Sequence, residues 1–260
     1  MKILSIGNSF SQDAQRYLHA LAAQEGESLT CVNLYIGGCS LKTHWENAED
    51  DKPLYSYERN GAPVFLDGEG GRPRYCSIRA ALEEGGWDAV TLQQCSHDSG
   101  KYETYQPYLT RLSGYVRQYA PQAKQWLHQT WAYETDSTHS AFPDYGRSQQ
   151  AMYQRLKAAY ALASASIGAP LIPAGDMIQA LRALPAFDYA HGGPSLCRDG
   201  FHMSLTLGRY ALAAVWYAAL TGKAPQADFV PEGSQPGDDA RRALIRRTAA
   251  QLVLPERGAR

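Results

Sequence analysis

Short apolar runs alternate along the chain with stretches whose apolar residues recur every three or four positions. Residues 2–6, 30–35, 89–92, 125–129 and 170–173 are the runs, and their length and composition predict strands. Residues 13–24 place Ala14, Tyr17, Leu18 and Leu21 at i, i+3, i+4 and i+7, and Gly26 follows, which predicts a helix with its stop. Residues 105–119, 145–167, 204–220 and 237–253 predict further helices, with Pro121, Gly168 and Gly222 closing the first three. Alternating strands and helices predict an α/β chain: a three-layer α/β/α sandwich around a five-stranded parallel sheet. In such sheets, sites form outside the carboxyl ends of the strands, so chemistry is expected after Ile6, Tyr35, Leu92 and Gln129.

One segment breaks the rhythm. Residues 39–86 are far longer than an ordinary connection, and Asn60-Gly61 stands between two β-prone runs as a hairpin signal. We read 1–260 as one domain carrying an insertion of about 39–86 and a C-terminal helical tail of about 223–260. The insertion should hold a hairpin, then a helix near 77–84, and is expected to overhang the site. Its Trp45, Tyr55 and Tyr57 can line a pocket there or pack the hairpin onto the body.

Composition narrows the class. The chain has 260 residues, 44% hydrophobic and 20% charged, with a formal net charge of −1. That fits an ordinary globular core and gives no basic footprint for nucleic acid and no pull toward an anionic membrane surface. Five scattered cysteines without a C-x-x-C pair suit neither a disulfide framework nor a zinc site, and are expected as reduced, buried thiols. The apolar core of residues 3–6 is too short for a signal peptide. The default compartment is the cytoplasm, although a leader removed before Met1 is compatible with the sequence.

The stretch "SIGNSFSQ" puts Ser9 where the first strand should end. With Gln12 three residues on, Ser9 matches a capping box, and it equally suits a nucleophile held beside free helix amides. A serine hydroxyl needs a base. His19 falls inside the first helix, His97 and His128 follow or end strands, and His139 and His191 lie in loops rich in Gly, Pro and Ser. His202 has Asp199 three residues before it, just ahead of a long helix. On a tight turn that carboxylate can take the imidazole Nδ1 proton and leave Nε2 facing a nucleophile.

Together these blocks resemble the SGNH (GDSL-type) hydrolases, a lipase and esterase superfamily. "IGNSFS" matches the nucleophile block, "YIGGCSL" the second, "VTLQQCS" approximately the third, and "RDGFH" the last, in the family's order up to about residue 222. The resemblance implies a flavodoxin-like fold, a Ser9–His202–Asp199 triad, and an oxyanion hole from the amides of Ser9 and Gly38 with a third donor. It implies no cofactor and no metal, and a small acyl ester, most simply an acetyl ester on a carbohydrate, as substrate. An acyltransferase with the same triad, or a non-catalytic carbohydrate-binding module on this scaffold, is the rival reading. Two departures stand out. Asn8 replaces the usual Asp, and Gln93-Gln94 replaces the third-block Asn. Since strand neighbours point opposite ways, only one glutamine should face the site, and Gln94, nearer the loop, is the expected donor. Neither nucleic acid nor membrane is expected as a partner, and the oligomeric state is not legible.

Overall fold

In the computed structural model of the protein, residues 1–254 are described. The first apolar run becomes the central strand, β1 (Lys2–Gly7), buried from Ile3 onward because both sheet faces are covered. It pairs in parallel with β2 (Thr30–Tyr35) on one side and β6 (Ala89–Leu92) on the other. β7 (Lys124–His128) and β8 (Leu171–Ile172) extend the parallel array beyond β6. These are the five expected strands.

The insertion adds three more, so the sheet is mixed. β3 (Tyr55–Arg59) runs antiparallel along the open edge of β2, turns at Asn60-Gly61 into β4 (Ala62–Pro63), and also pairs with β5 (Tyr75–Cys76). The resulting order is β4-β3-β2-β1-β6-β7-β8. The physical gain is at the edge, since β3 satisfies the row of backbone groups that β2 would otherwise expose. Tyr55 and Tyr57 are fully buried in this addition, and Trp45 stands edge-on to Tyr115 at 6.3 Å. All three aromatics pack the insertion to the body.

Alternation along β1 divides the core. Ile3 faces one layer with α1 (Ser9–Gln15), α2 (Leu18–Gln24), α7 (Ala174–Arg182) and α8 (Leu207–Thr221). Leu4 and Ile6 face the other, with α3 (Leu41–Glu49), α4 (Ile78–Glu83), α5 (Tyr108–Tyr119) and part of α6 (Gln149–Ile167). The helix expected over 13–24 is two short helices, and the first begins at once after the strand. Of residues 207–218 in α8, all but Arg209 are buried, because the tail helix α9 (Asp238–Val253) covers the face away from the sheet. Arg242 and Arg246 bind Asp228 and hold its carboxyl down at about 2. No helix among the described residues is long and apolar enough to cross a membrane.

Two imidazoles are enclosed in this core. His44 meets the Tyr55 hydroxyl through Nδ1 at 2.9 Å, and His128 meets Gln93 Oε1 through Nδ1 at 2.7 Å. Burial pushes both from the ordinary 6.5 down to about 3. The unfolded chain therefore binds more protons than the folded one between these values. Stability should be complete above pH 6.5 and fall as pH drops toward 3. We expect the urea midpoint to decline already between about pH 6.5 and 5, above most carboxylate titration. His128→Gln should flatten that decline, and a midpoint constant over the same range would disprove the assignment.

Candidate active site

β1 hands the chain directly to α1 through Gly7 and Asn8. A Cβ on Gly7 would lie 2.0 Å from Ser11 Oγ, so only glycine lets the turn close this tightly. Asn8 is the N-cap: its Oδ1 accepts the Phe10 N–H at 2.9 Å, and Ser11 Oγ accepts the Asn8 N–H at 3.0 Å. The capping role weighed for Ser9 thus belongs to its neighbour. Ser9 is the first helical residue, and its Oγ lies 2.9 Å from His202 Nε2 across 193 residues of chain.

Asn8 is also tied sideways. Its Nδ2 donates to the Cys39 carbonyl at 3.1 Å, and its Oδ1 accepts from Gln93 Nε2 at 2.6 Å. An amide supplies both a donor and an acceptor here. A carboxylate would face the Cys39 carbonyl with no hydrogen to give, which explains Asn where the resemblance leads one to expect Asp.

The second segment of the candidate site is a turn. Asp199 Oδ1 accepts the backbone N–H groups of Phe201 and His202 at 3.2 and 2.7 Å, and Oδ2 accepts from His202 Nδ1 at 2.7 Å. Gly200 sits at φ +83, where a Cβ would also meet Ser137 at 2.9 Å. Burial raises the Asp199 carboxyl, but the hydrogen bonds from the His202 ring and the two amides outweigh it, and the net shift is downward. With Nδ1–H given to Asp199, the hydrogen-bond pattern leaves Nε2 as the acceptor toward Ser9. Trp131 sits beneath, fully buried, stacked on Phe10 at 4.0 Å and donating to the Phe201 carbonyl at 2.7 Å.

Asp13 holds the two segments together. It projects from α1 one turn after Ser9 and is 0% exposed. Its oxygens accept from Arg198 Nη1 at 3.0 and 3.1 Å, from Arg209 Nε at 2.8 Å and from the Met203 N–H at 2.9 Å. Arg198 and Met203 bracket the Asp199–His202 turn.

Ser9 and His202 open onto a cavity of about 200 Å³, walled also by Tyr35, Gly38, Ser96, His97, His139 and Phe201. The N–H groups of Ser9 and Gly38 face no acceptor among the described residues. Gly38 takes φ +64, a left-handed conformation that reserves the position for glycine. The imidazole of His139 is lowered by burial and by the charges of His97 and His202.

Gln94 is a correction. The two glutamines do point opposite ways, but neither lines the cavity. Gln94 Nε2 donates to the Thr104 hydroxyl at 3.0 Å, and its Oε1 accepts the N–H groups of Leu41 and Cys95, both at 2.9 Å. Gln93 spans Asn8 and His128. Both amides are spent on holding loops. Nor does the insertion overhang the site, for no residue of 39–86 lines the cavity. Tyr35, Ser96 and Phe201 were not singled out from the sequence, although each follows or ends a segment already expected to border the site.

The fold is that of the SGNH hydrolases. The structure superposes on a candidate SGNH hydrolase from Slackia heliotrinireducens with a TM-score of 0.56 at 24% identity, over 85% of this chain and 98% of that one. It superposes on a candidate GDSL-like lipase from Parabacteroides merdae with a TM-score of 0.55 at 14% identity, over 85% and 96%. Within that fold, the family model described as a domain of unknown function, DUF4886, matches residues 2–251, and the chain belongs to this family. A DUF4886 protein from Bacteroides uniformis is 37% identical, with a TM-score of 0.85 over 97% of this chain and 95% of that one. No curated protein matches by sequence.

Removing the Asp13 carboxylate leaves two guanidinium groups and a backbone N–H without their acceptor. Asp13→Ala should cost on the order of 3–5 kcal/mol of stability, read from chemical denaturation. An unchanged midpoint would show that the clamp is not structural.

Proposed function

We propose that this protein is a serine esterase that removes a small acyl group, most simply acetyl, from an alcohol such as a sugar hydroxyl. The observation that carries this reading is the unbroken line Ser9 Oγ–His202 Nε2 at 2.9 Å and His202 Nδ1–Asp199 Oδ2 at 2.7 Å, opening onto the cavity. Ser9 Oγ attacks the ester carbonyl while His202 takes its proton, and Asp199 steadies the imidazolium. The oxyanion is received by the amides of Ser9 and Gly38. His202 then returns the proton to the departing alcohol, and water repeats the sequence to free the acid and Ser9. Every step draws on groups of the chain and on water.

The small cavity, about 200 Å³, favours a short acyl group, and its His139 and Phe201 wall offers both a polar group and a ring face to the alcohol. Hydrogen bonds from the His202 ring and two backbone amides hold the Asp199 carboxyl below its ordinary range, which favours the carboxylate that steadies the imidazolium.

Ser9→Ala should abolish turnover of an aryl acetate while the protein stays folded, and should abolish labelling by a fluorophosphonate. Losses for Asp199→Asn and His202→Ala should be about 10⁴-fold. Full turnover by Ser9→Ala would overturn the reading. A panel of acyl lengths tests the substrate claim, and preference for long chains would refute the small-acyl assignment.

A further inference from the structure

The loop after β6 contains a group of side chains that the acyl transfer leaves unused. Cys95 Sγ lies 3.3 Å from His97 Nε2 and 3.7 Å from Asp98 Oδ2, and the last two atoms are 3.7 Å apart. Three donors at metal–ligand distances of about 2.0–2.3 Å, arranged tetrahedrally, would be separated by roughly 3.3–3.6 Å. The triangle is therefore close to the size of a zinc face. Its chemistry is a thiol, an imidazole and a carboxylate, a set suited to a borderline-soft cation.

The loop is also held rigid. Gln94 Oε1 accepts the Cys95 N–H at 2.9 Å, Tyr145 OH donates to the His97 carbonyl at 3.0 Å, and Ser99 Oγ donates to the Ser96 carbonyl at 2.8 Å. Lys101 Nζ sits 3.3 Å from Asp98 Oδ1, so it orients the carboxylate through its other oxygen and leaves Oδ2 to the triangle. Such outer contacts are what fix a ligand set in place.

We propose that Cys95 Sγ, His97 Nε2 and Asp98 Oδ2 bind one Zn²⁺-class cation in the wall of the cavity. Cys95 is fully buried behind the group, whereas His97 lines the cavity, so the remaining coordination position faces the cavity and takes water. On binding, the thiol releases its proton to solvent and coordinates as thiolate; nothing is oxidised or reduced. This assigns a task to the stretch that replaces the family's third-block Asn, and it departs from the absence of a metal that the sequence led us to expect. It stands independently of the esterase reading.

The test uses the full chain, stripped with a chelator and titrated with Co²⁺, then with Zn²⁺. We expect one equivalent of Co²⁺ with a thiolate-to-cobalt charge-transfer band that Zn²⁺ displaces. Cys95→Ser should remove the band, while Cys197→Ser, beside Arg182 on another part of the fold, should keep it. His97→Gln should weaken binding at least tenfold, and it decides the matter if Cys95→Ser fails to fold. Absence of the band at millimolar Co²⁺, its survival in Cys95→Ser, or unchanged affinity in His97→Gln would overturn the proposal. Because the readout is binding, such a failure leaves the Ser9 chemistry untouched.

Discussion

The site depends on one buried carboxylate. Ser9 and His202 are 193 residues apart in sequence, and their hydrogen bond needs α1 and the Asp199–His202 turn to be fixed against each other. Hydrophobic burial brings these elements together without choosing their register, because it has no direction. Asp13 supplies the direction. Its two oxygens take hydrogen bonds from Arg198, Arg209 and Met203, so α1, the turn and the start of α8 share one charged anchor. Removing a charge from water is costly unless its lone pairs are met, and here both oxygens are engaged.

A second set of buried polar groups runs across the carboxyl edge of the sheet. Glu58 on β3 accepts from Asn33 and Gln12, Asn33 accepts from Ser11, Ser11 and Asn8 close the cap, and Asn8 leads through Gln93 to His128. Burial raises the Glu58 carboxyl, and its hydrogen bonds to Asn33 and Gln12 act against that rise. Through this chain the insertion reaches the turn that carries Ser9 from behind the sheet edge. Such a network is cooperative only while every member has its partner.

Much of this was legible in the sequence, for physical reasons that differ by element. The five parallel strands were visible because strands buried on both faces read as continuous apolar runs. Asp199 and His202 were visible because a three-residue spacing on a turn brings two side chains together locally. Asp13 was not, since its partners lie 185 residues or more away and a charged residue in a helix ordinarily reads as solvated. The glutamines misled for a related reason. Strand alternation does set them on opposite sides, but which loop each amide serves depends on Thr104, Leu41 and His128, whose positions are tertiary facts. The insertion's place at the edge, rather than over the cavity, was likewise fixed by the pairing of β3 with β2.

The burial of His128 has a consequence for how the site can respond to its surroundings. Gln93 presents its amide hydrogen to Asn8 only because its own oxygen takes the Nδ1 hydrogen of a neutral imidazole. That imidazole stays neutral until about pH 3. The hydrogen bonds beneath Ser9 therefore keep the same donors and acceptors in the folded protein down to about pH 3. Acid therefore draws on the stability of the folded state without rearranging the hydrogen bonds that seat Ser9.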